Sequence, residues 1–250
     1  MEGARNIETF HPRPHIIERA EYKATVESEI PMLRILNNFI LGFFSQHEMK
    51  GWKVLDAGCG RQPFRRLLEE KGCIYSAMDV NQNPEGSVQF ICAIDETLPA
   101  GLLQQGPFDL VICLEVMEHV ADWDAAFKNF NLLLKDGGKL LLTAPFFFRL
   151  HESPYDFWRP TPYSFEYYGQ RHQLKVDEVV KGGDAWDILG TMLTLGGIYS
   201  RDRNFFNRLL GFCIRNFVRM IKGKILSGYF SRRVILDNGY YLSNGIVMHK

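Results

Sequence analysis

Apolar segments of strand length alternate with helical segments from residue 53 onward, and this alternation restricts the fold more than any other property of the sequence. The segment 108–114 is apolar almost throughout, as expected of a strand that is covered on both faces. Helices are predicted at 63–71 and 122–134. This order predicts an α/β fold whose sheet is doubly wound, mostly parallel and seven-stranded. The predicted strands are 53–56, 73–80, 88–94, 108–114, 139–143, 174–180 and 240–249.

Two segments outside this alternation are predicted to be helical. In residues 1–49, apolar side chains recur at spacings of three and four after residue 30, and Pro31 either kinks a helix or starts a new one. Residues 184–238 are too long for a plain connection between two strands. We therefore expect an N-terminal helical cap at 1–49, a core at 50–183, a helical insertion or lid at 184–238 and a final core strand within 239–250.

Charge and cysteine content exclude several classes of protein. The 29 basic and 29 acidic side chains cancel, whereas nucleic-acid-binding proteins usually carry a positive excess. The five cysteines form no Cys-x-x-Cys pair, which is typical of a reducing compartment. Residues 1–15 lack the apolar segment of a signal peptide, and no uncharged stretch reaches the roughly 18 residues of a membrane-spanning helix. We expect a cytoplasmic protein with no nucleic-acid partner.

An acidic residue stands at or just after the carboxyl end of four predicted strands. In an open parallel sheet this edge is where ligands bind. Four acids in succession favour a ligand with several hydrogen-bond donors and a positive charge. S-adenosylmethionine (SAM) has a ribose diol, an adenine amine, an ammonium group and a sulfonium. The four residues are Asp56, Asp79, Asp95 and Glu115.

The turn after the first strand, Asp56-Ala57-Gly58-Cys59-Gly60, contains two glycines that let a ligand approach the backbone closely. A dinucleotide is the competing ligand, because Asp79 follows Gly60 by 19 residues and suits a ribose in either case. The dinucleotide fingerprint, however, needs a third glycine where this chain has Pro63. The turn therefore favours SAM over NAD.

Five segments in order along the chain resemble the successive motifs of class I SAM-dependent methyltransferases of the type 11 group. The resemblance covers roughly residues 50 to 180 and implies a Rossmann-like fold, SAM as the cofactor and S-adenosylhomocysteine as the product. It also implies that Asp56, Gly58 and Gly60 bind the methionine part of SAM. The segments are VLDAGCG at 54–60, AMDV at 77–80, AIDETLP at 93–99, FDLVICLEVMEHV at 108–120 and LLKDGGKLLLTAP at 133–145.

The same resemblance assigns the remaining cofactor contacts. It implies that Asp79 binds the ribose hydroxyls and that Asp95 and Glu96 face the adenine. Glu115 is implied to lie near the sulfonium. Three neighbours of these acids are assigned to the same cofactor site: Ala57, Val80 and Leu114.

The segment 151–162, HESPYDFWRPTP, is similar to an HxxPxDxxRxTP stretch in bacterial methyltransferases associated with glycan or polysaccharide biosynthesis. Pro160 stands where many of those proteins carry an aromatic residue. The similarity implies a saccharide acceptor, which a lipid-linked glycan would also provide. The aromatic stretch around it, from 146 to 168, is expected to be irregular.

Four residues after the fourth and fifth strands are candidates for catalysis. An alcohol acceptor must lose a proton, and histidine is the usual base near neutral pH. His119 is predicted to begin the helix after the fourth strand, where it either acts at the methyl group or only bonds the backbone. His151 is predicted to act over the same mouth. Asp156 and Arg159 either pair with each other, or orient a histidine and hold an anionic substrate.

The segment 201–233 carries nine Lys or Arg residues and one acid, Asp202, with apolar residues at near-helical spacing. A basic amphipathic helix is typical of contact with a membrane surface or an anionic partner. The alternative is a lid or dimer helix whose apolar face packs on the core. Peripheral membrane contact and a homodimer both stay open.

These patterns together predict an enzyme, a SAM-dependent methyltransferase that O-methylates a small-molecule or saccharide acceptor. N- or C-methylation of a quinone-like or other small molecule is the enzymatic alternative. A non-catalytic protein that kept the fold for binding or scaffolding is the alternative from another class. No group of His, Cys and Asp residues has the sequence spacing of metal ligands, so no metal is expected.

Overall fold

The computed structural model describes residues 31–195, 205–236 and 239–250, which form one seven-stranded sheet with helices on both faces. The strands are β1 (Lys53–Ala57), β2 (Ile74–Asp79), β3 (Phe90–Ile91), β4 (Phe108–Leu114), β5 (Leu134–Pro145), β6 (Lys175–Gly182) and β7 (Ser243–His249). The helices are α1 (Pro31–Gln46), α2 (Arg65–Glu70), α3 (Ala100–Gln105), α4 (Trp123–Leu133), α5 (Pro162–Arg171), α6 (Ala185–Leu195) and α7 (Phe205–Leu226), with a 3-10 turn at Met117–His119.

The strand order β3-β2-β1-β4-β5-β7-β6 confirms the predicted Rossmann-like, doubly wound sheet. Strands β1 to β5 pair in parallel, whereas β7 lies between β5 and β6 and runs antiparallel to both. The chain moves outward from β1 to β3 on one side and from β4 to β5 on the other. The strand order therefore reverses between β1 and β4, and their carboxyl ends flank the crevice where such sheets bind ligands.

Strand β4 lies between two apolar layers, which explains its nearly continuous apolar sequence. Val111 and Cys113 face a buried cluster that includes the apolar side of α4. Leu110 and Ile112 face a second buried cluster that includes the apolar side of α1. Side chains alternate across a strand, so a strand covered on both sides needs apolar residues at successive positions.

Asp109 is the one charged residue of β4. Its carboxylate accepts a hydrogen bond from the Lys53 backbone amide at 2.7 Å and forms an ion pair with the Lys135 ammonium. Asp109 is thereby bonded to the starts of both neighbouring strands, at the edge of the sheet opposite the crevice.

The structure differs from the sequence prediction most clearly in the aromatic stretch after β5. Residues 162–171 form helix α5 instead of an irregular segment. Pro162 occupies the first turn, where its missing amide costs nothing, and Phe165 and Gly169 are buried on the inner side. The tyrosines around them have modest helix propensity, so the local sequence does not predict a helix here. The packing of Phe165 on the core stabilises it.

Strand β3 is much shorter than the predicted 88–94. Side-chain amides replace the strand ladder on its N-terminal side, since the Gln82 carbonyl accepts from Val88 N at 2.8 Å and the Gln89 carbonyl accepts from Ala77 N at 3.0 Å. Strand β5, by contrast, begins before the predicted 139 and continues through a turn at Gly137, whose φ is +74°.

Helices occupy the described parts of both predicted flanking segments. Helix α1 lies within the predicted cap, of which residues 1–30 lie outside the described residues. Helices α6 and α7 lie within the predicted insertion, of which residues 196–204 and 237–238 lie outside them. Among the described residues, no helix is both long and apolar enough to cross a membrane. The division into cap, core and insertion remains a prediction.

Candidate active site

A cavity of about 370 Å³ opens at the carboxyl ends of β1, β2 and β4, where the strand order reverses. It is lined by the turn after β1, by the 3-10 turn after β4 and by the loop after β5. Most of the predicted cofactor residues line it, namely Asp56, Gly58, Gly60, Asp79, Val80, Leu114 and Glu115, together with His119 and His151.

The turn after β1 needs glycine at position 58 for two reasons. Gly58 has a φ of +79°, a region that residues with a side chain rarely adopt. A Cβ atom there would lie 2.4 Å from Cγ2 of Val116. The turn is held to β2, because Gly58 N and Cys59 N donate to Met78 O at 2.8 and 3.0 Å.

Asp79 fixes the turn from the neighbouring strand. One carboxylate oxygen accepts from Gly60 N at 2.8 Å, and the other accepts from Asn81 N at 3.1 Å. A ligand that fills the cavity would meet a carboxylate whose orientation is set before binding. The role of Asp79 in binding the ribose stays a prediction.

Asp56 is a buried carboxyl group at the floor of the same cavity. Burial raises its pKa to about 7, and the nearby charge of Asp79 acts in the same direction. The Tyr75 hydroxyl donates to Asp56 Oδ2 at 2.6 Å and partly offsets this rise. A cationic group placed at Asp56 would favour the ionised carboxylate.

Three predicted cofactor residues do not line the cavity. Ala57 is buried within β1. The Asp95 carboxylate accepts from Asp122 N at 3.3 Å, just before α4. The Asn129 side-chain amide bonds the carbonyls of Ile94 and Glu96, so this loop presents Cys92, Ala93 and Ile94 to the cavity instead.

Glu115 follows β4 with a φ of +54°, which is uncommon for a residue other than glycine. Its backbone amide donates to the Thr143 hydroxyl at 3.0 Å, and the Ser243 hydroxyl lies 3.5 Å from Glu115 Oε1. Burial raises the pKa of this carboxyl to about 7. Strained backbone of this kind clusters at functional sites, where the surrounding structure holds it in place.

The two histidines meet at the far end of the cavity, with ring centroids 4.8 Å apart. His119 lies in the 3-10 turn and not at the start of a helix, since α4 begins only at Trp123. Its Nδ1 is 2.7 Å from the Tyr155 carbonyl oxygen. The His151 Nδ1 lies 3.3 Å from both the Arg149 carbonyl and the Asp156 carboxylate. Burial and the neighbouring His119 lower the pKa of His151.

Asp156 and Arg159 pair with each other, as one of the two predicted alternatives has it. The Arg159 guanidinium donates to both Asp156 oxygens at 2.6 and 2.8 Å. Although burial opposes ionisation of Asp156, this pairing and the His151 backbone amide at 2.9 Å outweigh it, and its pKa lies below the usual value. Neither residue lines the cavity, but both contact residues that do: Asp156 contacts His151, and Arg159 donates to the carbonyls of Phe148 and Arg149.

Glu118 was not singled out by the sequence analysis. Its side chain is fully buried, and neither carboxylate oxygen has a hydrogen-bond partner among the described residues. Oε1 lies 3.7 Å from Nε2 of His119 and 3.7 Å from Nε2 of His151. Burial, with the adjacent Glu115, raises its pKa well above the usual value. The only signal in the sequence is that an acid precedes His119, which does not reveal burial.

Three of the side chains at the cavity form a group that could hold a metal ion. One ligand atom from each of Glu118, His119 and His151 lies within 4.8 Å of the others. The spacing of residues along the sequence gives no sign of this group, because its third member comes from the loop after β5, 32 residues beyond His119. The absence of a metal stays a prediction.

Comparison with known proteins identifies the family of this chain and agrees with its fold. A family model described as a methyltransferase domain matches residues 30–175, more than half of the chain. The ubiquinone biosynthesis O-methyltransferase of Idiomarina loihiensis is 31% identical over an alignment of 130 residues, and the match covers 47% of this chain and 53% of that protein. The one of Xanthomonas oryzae pv. oryzae is 32% identical over 121 residues, covering 44% and 51%. The chain spans about half the length of these curated relatives.

Solved structures share the fold at low sequence identity. The O-methyltransferase from a trans-AT PKS multienzyme of Brevibacillus brevis, in complex with S-adenosyl-L-homocysteine, has a TM-score of 0.52 at 16% identity and covers 89% of this chain and 72% of its own. The cyclase SpnF has a TM-score of 0.52 at 13% identity, covering 86% and 81%. Because a cyclase shares it, the fold alone does not specify methyl transfer. The relatives named above belong to ubiquinone biosynthesis and do not support the implied link to glycans.

Proposed function

The chain belongs to the methyltransferase-domain family, and from this membership we propose that it is a SAM-dependent methyltransferase that methylates a hydroxyl oxygen of a small molecule. One observation carries the proposal. A single cavity is lined both by the glycine turn and Asp79 and by His119 and His151. A cofactor bound along the glycine turn and Asp79 would direct its methyl group toward an acceptor beside the two histidines.

The cofactor placement rests on the charges at the carboxyl ends of β1, β2 and β4. The Asp79 carboxylate would accept from the ribose hydroxyls, and Asp56 would face the ammonium of the methionine part. Gly58 and Gly60 let the ligand approach the backbone. Glu115 would lie toward the sulfonium. The adenine would lie against Cys92, Ala93 and Ile94, in place of the Asp95 and Glu96 side chains that the sequence implied.

Methyl transfer is an in-line displacement, so positioning supplies much of the rate enhancement. The acceptor oxygen bonds the methyl carbon, and the carbon–sulfur bond breaks with its electron pair going to sulfur, leaving S-adenosylhomocysteine. The hydroxyl proton must also leave. The two imidazoles, His119 and His151, line the cavity where this hydroxyl would lie, and we assign them the activation of the acceptor.

The named O-methyltransferases favour an oxygen acceptor over the N- or C-methylation alternative. They do not favour a saccharide, so a phenolic or quinol-like acceptor and a sugar are the two classes to screen first. The scaffold alternative predicts cofactor binding without turnover on either class. All five cysteines lie in the described residues and none forms a disulfide, which suits the proposed cytoplasmic location.

Titration of the protein with SAM, S-adenosylhomocysteine and NAD tests the cofactor. Asp79→Ala should weaken SAM binding by about 1–3 kcal/mol, because it removes charge-assisted hydrogen bonds. Asp136→Ala is the matched control, since Asp136 is fully exposed and distant from the cavity. NAD binding without SAM binding, or equal SAM affinity in Asp79→Ala, would refute the placement.

We also propose that α7 contacts an anionic membrane surface. Phe206, Leu209, Leu210, Phe217 and Met220 recur at helical spacing along one flank and are between 48% and 71% exposed. The lid alternative requires these side chains to pack on the core, but they do not. Residues 205–236 contain seven Lys or Arg residues and no acid. Apolar burial and attraction to anionic lipids together hold such a helix at a bilayer surface. A second copy of the chain is the competing occupant.

A further inference from the structure

Three side chains with lone pairs converge at the acceptor end of the cavity. Glu118 Oε1 lies 3.7 Å from Nε2 of each histidine, a separation too long for a hydrogen bond. An ion with bonds of roughly 2.1 Å holds neighbouring ligand atoms roughly 3.0–3.4 Å apart. The two distances from Glu118 therefore need to contract by only a few tenths of an ångström, and the two histidine nitrogens, which lie within 4.8 Å of each other, need to approach as well for all three to coordinate one ion.

Both imidazoles are held in the tautomer that a metal requires. His119 Nδ1 faces the Tyr155 carbonyl oxygen, which can only accept, so Nδ1 carries the proton. His151 Nδ1 faces the Arg149 carbonyl and the Asp156 carboxylate, which also only accept. In its neutral form each imidazole therefore has the lone pair on Nε2, which faces Glu118 in both cases. The Nε2 of His119 also lies 3.7 Å from the Glu152 carboxylate.

The groups behind the histidines form an outer shell of the kind that metal sites use. Metal-bound histidines usually donate their second N–H to a carboxylate or a backbone carbonyl, which orients the ring. For His151 the Nδ1 hydrogen bond goes to the Arg149 carbonyl, and the Asp156 carboxylate lies 3.3 Å from the same nitrogen. The two hydrogen bonds from Arg159 fix that carboxylate in turn. Asp156 and Arg159 are thus positioning residues.

Glu118 provides a second, independent observation. Its carboxyl group is fully buried and points into the cluster, and neither oxygen has a partner among the described residues. A buried, unpartnered carboxylate is costly unless a cation or a proton compensates its charge. With the two imidazole lone pairs directed at the same point, a cation satisfies all three groups at once.

We propose that Glu118, His119 and His151 bind one divalent metal ion, and that this ion receives the acceptor hydroxyl. The second part rests on the proposed methyl transfer, whereas the first does not. Two imidazoles and one carboxylate are the donor set of borderline ions such as Mn²⁺, Fe²⁺ and Zn²⁺, and suit them better than Mg²⁺ or Ca²⁺, which prefer oxygen ligands.

The ion would replace direct proton removal by a histidine. A bound metal lowers the pKa of a coordinated hydroxyl, so that its proton leaves to water at the mouth of the cavity. The resulting alkoxide or phenolate forms the new oxygen–carbon bond while the carbon–sulfur bond breaks toward sulfur. The metal keeps its oxidation state throughout, and no further reactant is consumed.

Calorimetric titration of chelator-treated protein with Mn²⁺ and with Zn²⁺ tests the site. We expect one ion per chain and weakening of at least roughly 10-fold in Glu118→Gln and in His151→Ala, because each loses a ligand. Asp156→Asn should weaken binding by about 10–100-fold while leaving all three ligands in place. His249→Ala removes a surface histidine that pairs with Asp177 and should bind as the wild type does.

SAM affinity, measured on every variant, reports whether the cavity is folded. Unchanged metal affinity in Glu118→Gln, or a protein that binds SAM but neither ion, would overturn the metal site. A protein that binds one ion at this site but no SAM would support the site and refute the proposed function. Full turnover after chelation, on any acceptor found, would overturn the role of the ion. A histidine would then be the group that removes the acceptor proton.

Discussion

Replacing Gly58 by alanine perturbs the turn after β1 in two separable ways. The first is the backbone, because a φ of +79° costs a residue with a Cβ about 1–2 kcal/mol. The second is steric, because the new Cβ would lie 2.4 and 2.9 Å from the two methyl carbons of Val116. Overpacking of this kind typically costs about 1–3 kcal/mol. The free energy of unfolding should therefore fall by about 2–5 kcal/mol in Gly58→Ala.

Gly51→Ala separates the two contributions. Gly51 has nearly the same φ, +81°, but no atom lies within 4 Å of the added Cβ. Its cost should be the backbone part alone, about 1–2 kcal/mol. Urea unfolding of both variants, followed by circular dichroism, measures the difference. Calorimetric SAM titration in parallel shows whether the turn still binds the cofactor.

The double variant Gly58→Ala with Val116→Ala tests the steric part directly. Removing the Val116 methyl groups leaves only its Cβ, 3.2 Å from the added carbon, so most of the clash disappears. A double-mutant cycle should then give a favourable coupling energy of about 1–3 kcal/mol. A coupling energy near zero, with equal costs for Gly58→Ala and Gly51→Ala, would refute the argument that Val116 is why position 58 excludes a side chain.

Two further predictions concern Asp56 and α7. Because burial holds the pKa of Asp56 at about 7 in the free protein, SAM binding should expel its proton, and affinity should fall by up to about tenfold for each pH unit below 7. Asp56→Asn should flatten that dependence in calorimetric titrations, and an equally steep dependence in the variant would contradict the assignment. Wild-type protein should co-sediment with phosphatidylglycerol vesicles but not with phosphatidylcholine vesicles. The double variant Leu209→Gln with Phe217→Gln should lose this binding. The control Leu132→Gln, which changes an exposed leucine of α4, should keep it. If the wild-type protein binds no vesicles but dimerises with increasing concentration, and the same double variant does not dimerise, the exposed flank of α7 binds a second copy of the chain instead.

The sheet and the position of the cavity were predictable because their signals are local. Strand β4 was predicted with its observed bounds, since a strand buried on both faces is apolar at successive positions. The acids at the ends of β1, β2 and β4 marked the cavity edge, because carboxyl ends of parallel strands share one side of a sheet. For these residues, the position along the strand is enough to predict the position in the folded sheet.

The remaining features depend on contacts between distant segments. Helix α5 forms because Phe165 packs on α4, which the tyrosine-rich segment does not reveal. Asp95 stands at a strand end like the other acids, yet it bonds the backbone before α4 instead of lining the cavity. Glu118 looked like an ordinary polar residue of a turn, and only the loop carrying His151 turns it into the centre of a cluster. Sequence spacing cannot report such convergence.

The two-sided burial of β4 leaves its alignment with β1 and β5 weakly specified by hydrophobicity. In a sheet with one wet face, a slip of one residue drives polar side chains into the core and is strongly penalised. In β4 the same slip would exchange one apolar side chain for another on both faces. Asp109 removes this ambiguity, because only the observed alignment lets its carboxylate reach the Lys53 amide and the Lys135 ammonium together. One hydrogen bond and one ion pair at the far edge of the sheet thus favour the register that brings the residues of the cavity together.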